Sequence, residues 1–115
     1  MDQLKFELIN NLKIIENSIN LEFKGINKGL LIVYCNWSEK AISNITKTLE
    51  LIKKVNYFGD ILIIDIDKMP PNFQINLLGT VCNGWGELFE IENGKIINKF
   101  KGKDCYIDFE RRYKN

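Results

Sequence analysis

Histidine is absent from the 115 residues, which removes Ser-His-Asp and Cys-His nucleophile systems, His-ligated metals and imidazole acid–base work near neutral pH. Any catalysis falls to Cys, Asp, Glu, Lys or Tyr. Cysteine is scarce: Cys35, Cys82 and Cys105 are an odd number, far apart in the chain. That pattern suits neither a disulfide framework nor a clustered zinc site, so reduced thiols are expected, and no metal or other cofactor. Long apolar runs are missing too. The longest, Leu30 to Cys35 and Ile61 to Ile64, fall far short of a bilayer-spanning helix. The chain opens Met-Asp-Gln-Leu-Lys rather than with a basic and then apolar leader, so a cytoplasmic location without membrane contact is expected. Excess charge of either sign is also lacking: 16 basic residues face 15 acidic ones, a formal net charge of +1. No long-range field favours nucleic acid or an anionic membrane as a partner.

What the chain does have is 45% apolar residues, enough for one core at this length, so residues 1–115 are expected to form a single domain. Leu4, Leu8, Leu12, Ile15 and Ile19 recur at steps of four and three, the stripe of an amphipathic helix, although Ile19, Leu21 and Phe23 alternate as a strand does. The end of that helix stays open between the two patterns. After the turn-rich stretch Lys24 to Gly29, the run Leu30 to Cys35 is apolar throughout and reads as a central strand buried on both faces. Asn36 or Ser38 then caps a helix with the stripe Ala41, Ile42, Ile45, Leu49 and Ile52, and with Lys40, Lys47, Lys53 and Lys54 facing water. Asn56 to Asp60 is a turn, and Ile61 to Asp67 is a second buried strand ending in carboxylates. This strand–helix–strand order implies a right-handed parallel unit. Pro70-Pro71 starts a short helix through Phe73, Ile75, Leu77 and Leu78, followed by the loop Gly79 to Gly86. Glu87–Glu92 and Lys95–Phe100 flank Asn93-Gly94, which supplies the positive φ angles of a type I′ hairpin turn. Cys105 to Tyr113 forms a short closing helix.

This order of elements and four short matches resemble the thioredoxin-like superfamily over residues 29–102. The family has an apolar strand that runs into a Trp and then a CxxC at a helix N-terminus; here Leu31-Ile32-Val33-Tyr34-Cys35-Asn36-Trp37 runs into Ser38-Glu39-Lys40-Ala41. Asp65-Ile66-Asp67-Lys68-Met69-Pro70 resembles its Asn/Asp-x-Asp before a proline. Asn93-Gly94 and Gly102 resemble its terminal hairpin turn and the glycine that follows. The resemblance implies an α/β fold, a thioredoxin-like three-layer sandwich whose mixed sheet combines a parallel βαβ unit with a C-terminal β-hairpin. It also implies where redox chemistry would sit, and there the residues differ. In the register set by Trp37, the two family cysteines fall on Ser38 and Ala41, the buried carboxylate on Ile32, its accompanying Lys on Ile63, and the cis-proline on Gly86. A member without these elements is expected to be redox-inactive.

The remaining pattern, Trp-Ser-x-x-Ala at the helix start and Gly-Trp-Gly-Glu at the hairpin entrance, resembles small non-catalytic thioredoxin-like bacterial proteins, some of which act beside toxins as immunity proteins. The function this implies is non-enzymatic protein binding, with a toxin domain as the finer reading of the partner. The expected surface is Trp37, Ser38, Glu39, Lys40, Trp85 and Glu87. The alternative is a monothiol thioredoxin- or glutaredoxin-like oxidoreductase or redox sensor using Cys35 or Cys82, because Cys35-Asn36-Trp37-Ser38 also reads as CxxS at a helix N-terminus. Each feature has a plainer reading. Cys35 continues an apolar strand and can be a small buried hydrophobe, Cys82 a loop filler, Trp37 and Trp85 covers over the core, and Glu87 a solvated hairpin residue. Asp65 and Asp67 end a parallel strand where α/β folds place catalytic or metal-binding carboxylates; the resemblance makes them structural. Arg111, Arg112 and Lys114, balanced by Asp108 and Glu110, read as a solvated helix face. The sequence assigns no oligomeric state.

Overall fold

Strands in which every residue is apolar need cover on both sides, and the chain supplies it. The structure, a computed structural model, describes residues 12–15, 22–35, 38–55, 57 and 59–113. In chain order it has β1 (Leu12–Ile15), β2 (Lys28–Tyr34), α1 (Glu39–Lys54), β3 (Asp60–Asp65), a single 3-10 turn (Ile66–Lys68), α2 (Pro71–Leu78), β4 (Trp85–Glu92), β5 (Lys95–Phe100) and α3 (Cys105–Tyr113). The five strands form one sheet in the order β1-β3-β2-β4-β5. β1, β3 and β2 run parallel, and β4 and β5 are antiparallel additions.

Successive residues of a strand point to opposite faces, and this divides the core in two. Leu30 and Ile32 of β2, Ile61 and Ile63 of β3 and Leu88 of β4 pack with Ile45, Leu49 and Ile52 of α1 and Phe109 of α3. Leu31, Val33, Leu62, Ile64, Phe89 and Ile91 take the other face, against Leu78 of α2, Met69 and Cys82. The result is three layers: α1 and α3, the sheet, and α2. The Phe109 ring meets Phe100 edge-on at 5.5 Å, which fixes α3 over the hairpin.

Local chemistry sets the element ends. The Ser38 hydroxyl accepts from the Ala41 amide at 3.2 Å and caps α1, while Lys53 and Lys54 sit in its last turn, where the helix dipole favours cations. Pro71 opens α2 and Gly79, at φ +75°, closes it in the left-handed region. Asn93 and Gly94 adopt φ 51° and 79°, the hairpin turn expected of that pair. Their amides donate to the carbonyls of Asn27 and Ile26, which docks the turn on the segment entering β2.

Two expectations fail. Ile66 and Asp67, expected as the end of the second buried strand, lie in the 3-10 turn, which the Asp65 carboxylate caps by accepting from the Asp67 amide. Leu12 and Ile15, read as part of an amphipathic helix, lie in β1, an edge strand whose residues pair with Ile61–Ile64 of β3. A step of three residues marks one face of a helix, yet in a strand it puts one side chain on each face. Leu12 accordingly packs on the α1 side and Ile15 on the α2 side. Leu4, Leu8 and Ile19 lie outside the described residues. No described helix is long and apolar enough to cross a membrane.

Candidate functional site

The C-terminal ends of β2 and β3, the start of β4 and the first turn of α1 meet at one end of the sheet. β2 runs out at Tyr34, Cys35 follows as a buried residue, and the Cys35 carbonyl accepts from the Ser38 amide at 3.2 Å. Ser38 is half-buried with its hydroxyl engaged as the α1 cap, Glu39 and Lys40 are exposed, and Ala41 is fully buried. β4 enters this end through Gly84-Trp85-Gly86. Gly84 and Gly86 have φ +80° and +91°, so each needs the freedom of glycine. A Cβ on Gly86 would stand 3.2 Å from Ile45 Cγ1, 3.3 Å from Asn44 Cβ and 3.4 Å from the Ala41 carbonyl. A side chain here would push β4 and α1 apart by a few tenths of an ångström, in addition to the strain of the positive φ.

The two glycines hold Trp85 half-buried between them, and its carbonyl accepts from Asn44 Nδ2 at 2.9 Å. The same Asn44 amide donates to the Lys103 carbonyl at 3.1 Å. One buried side chain thus joins α1, the head of β4 and the turn before α3. Sequence reading passed over Asn44; the available signal was a polar amide lying between Ala41 and Ile45 of the helical stripe.

Glu87 corrects an expectation. Expected on the contact surface or as a solvated hairpin residue, it has 0% exposure. Its Oε1 accepts from the amides of Asn83 at 2.7 Å and Gly84 at 2.9 Å, and Oε2 from Gly102 at 3.1 Å. The cause is its position: β4 lies between β2 and β5 with helices over both faces, so an inner residue has no solvent side. Glu87 therefore supports the site from below and offers no charge at its surface. Gln74 acts similarly on the preceding loop, since its side chain accepts from the Cys82 amide and donates to the Met69 carbonyl.

Cys35, Cys82 and Cys105 are all buried thiols. Cys82, considered as a reactive thiol, is 3% exposed, and burial, reinforced by the Glu87 carboxylate, pushes its pKa up to about 12. Cys105, fully buried, is raised to about 12 by the same two causes, and its sulfur lies 3.4 Å from the Gly86 carbonyl. A thiol becomes a nucleophile as thiolate, so both environments oppose reaction at neutral pH. Cys35, 2% exposed, sits against Gly84, where an added Cβ would come within 2.9 Å of its own. This is the packing of a small hydrophobe closing a strand.

Of the six surface residues expected, Ser38, Glu39, Lys40 and Trp85 lie on the segments described above, Glu87 lies beneath them, and Trp37 lies outside the described residues. Ile32 and Ile63, where the resemblance puts a carboxylate and a lysine, are fully buried among apolar neighbours. The Asp65 carboxylate accepts from the Asp67 amide at 2.9 Å and caps the 3-10 turn. No group of three or more potential metal ligands occurs among the described residues.

No family model and no curated protein matches the sequence. Solved structures do match. Mitochondrial thioredoxin 3 of Saccharomyces cerevisiae, in its oxidised form, superposes with a TM-score of 0.67 at 14% identity, over 88% of this chain and 92% of that one. Schistosoma mansoni thioredoxin gives 0.62 at 13% identity, over 90% and 94%. A chain from a study of thiol resolution in the yeast mitochondrial 1-Cys peroxiredoxin gives 0.61 at 16% identity, over 78% and 79%. The chain thus has a thioredoxin-like α/β fold, with a five-stranded mixed sheet and three helices among the described residues.

Proposed function

We propose that this chain is a thioredoxin-fold protein that binds a protein partner and does not exchange thiols with disulfides. The observation that carries this reading is the first turn of α1, where the resemblance places two reactive cysteines. A hydroxyl there is spent on capping the helix and a methyl is packed in the core. Two of the chain's three thiols support the same reading, because Cys82 and Cys105 are buried and held far above neutral pH. The contact surface is Trp37, Ser38, Glu39, Lys40 and Trp85, with Glu87 as the internal support of the Trp85 loop. Fixing such a loop before contact lowers the ordering cost of association, and tryptophan is prominent among binding hot spots.

The finer reading is a cytosolic immunity protein that covers a toxin domain. It is supported by the resemblance of Trp37-Ser38-Glu39-Lys40-Ala41 and Gly84-Trp85-Gly86-Glu87 to non-catalytic bacterial members of the superfamily. Partner capture tests both levels. A partner retained by the wild type and by Cys35→Ser, and lost with the double change Trp37→Ala and Trp85→Ala, is the expected outcome. A partner indifferent to the double change refutes the surface. Glutathione exchange that disappears in Cys35→Ser favours the monothiol alternative.

A further inference from the structure

At the opposite end of β2 from the α1 cap, the structure holds a cavity of about 360 Å³. That lies within the range of small-ligand sites, about 300–1,000 Å³. Lys28, Tyr57, Glu90, Glu92, Ile97 and Arg112 line it, together with Gly29 and Ile91.

Two features besides its volume single out this cavity. First, Glu90 is a carboxylate with 6% exposure on an otherwise apolar sheet face. It is held by Asn98 Nδ2 at 2.6 Å and by Arg112 Nε at 2.8–2.9 Å from its two oxygens. The Arg112 side chain is 46% exposed, so the pair runs from a buried carboxylate to a guanidinium that reaches solvent. Both groups line the cavity, which thus presents a fixed negative and a fixed positive charge side by side. Second, the β4–β5 ladder slips here: Glu90 pairs with Asn98 but Ile91 pairs with Ile96, so Ile97 is an extra residue on β5. Bulges of this kind re-aim side chains beside functional sites. The slip turns Ile97, 46% exposed, into the cavity wall beside Tyr57, whose ring carries the Lys28 ammonium at 5.0 Å.

The charges select the ligand by elimination. A purely anionic ligand meets Glu90 and Glu92, a purely cationic one meets Lys28 and Arg112, and an apolar one strips water from all four without replacing it. We propose that this cavity binds a small zwitterion, a free α-amino acid with an apolar side chain. Its carboxylate lies toward Lys28 and Arg112, its ammonium toward Glu90 and Glu92, and its side chain against Tyr57 and Ile97. The site is separate from the α1–Trp85 surface and does not depend on how that surface functions.

The test is an amide-resolved NMR titration of the full chain with L-phenylalanine, N-acetyl-L-phenylalanine and L-phenylalanine methyl ester. The expected result is saturable shifts at Gly29, Ile91 and Ile97 with the free amino acid. Either blocked form, lacking one charge, binds about tenfold or more weakly, the loss of one charged hydrogen bond. Lys28→Ala, a change at an exposed position, weakens phenylalanine by a similar factor and leaves the methyl ester unaffected. No saturable shift at millimolar concentration, equal binding of the blocked forms, or a Lys28→Ala variant with wild-type affinity overturns the proposal.

Discussion

Glu87 shows how far one residue can depart from its sequence reading. A carboxylate at the entrance of a hairpin ordinarily faces water, but β4 is an inner strand, and three backbone amides converge on this side chain. Glu87→Ala leaves the buried Gly84 amide and the part-buried amides of Asn83 and Gly102 without this acceptor, so a loss of about 2–3 kcal/mol is expected in urea unfolding. Glu87→Gln keeps one acceptor oxygen for Asn83 and Gly84 and presents an NH2 to Gly102, so the expected loss is smaller, about 1–2 kcal/mol. Equal, negligible losses in both variants contradict the internal tie.

The thiols give a second prediction at this scale. Cys82 and Cys105 titrate near 12 in the folded chain against an ordinary value of 9.0. Their folded pKa values are raised, so the stabilisation is complete below pH 9, where both states are protonated. It is lost between about 9 and 12, because the unfolded chain releases its protons first. Each cysteine contributes a slope of up to about 1.4 kcal/mol per pH unit in that window. Urea midpoints measured across it should fall less steeply in the double variant Cys82→Ala, Cys105→Ala than in the wild type.

At the scale of elements, most of the secondary structure was legible because local signals agreed. The runs at Leu30–Cys35 and Ile61–Ile64, the serine before a helical stripe, the proline pair and Asn93-Gly94 each name a conformation, and the structure has β2, β3, α1, α2 and the hairpin there. β1 was not legible, since a four-residue edge strand draws its stability from the open side of β3, a partner remote in sequence. Asn44 was missed for the same reason: its two acceptors lie 41 and 59 residues away. Asn44→Ala should loosen α1, β4 and α3 together, costing about 2 kcal/mol and speeding amide exchange at the start of α3. Ser38→Ala removes one local cap bond and should cost about 1 kcal/mol without that distant effect.

For the whole molecule, the fold was more legible than the candidate site. Topology follows from a few patterned segments, whereas a site depends on which side chains reach the surface. Trp85 and Ser38 lie on segments that meet at one end of the sheet and Cys82 packs as the loop filler its plainer reading describes, while the depth of Glu87 comes from layers that no local pattern encodes. We propose that a thioredoxin-like scaffold here carries no dithiol chemistry. The most direct test is reduction of insulin disulfides by the wild-type chain in the presence of dithiothreitol. The expected rate equals that of dithiothreitol alone and does not change in Cys35→Ser. A rate well above that background, abolished by Cys35→Ser, contradicts the account.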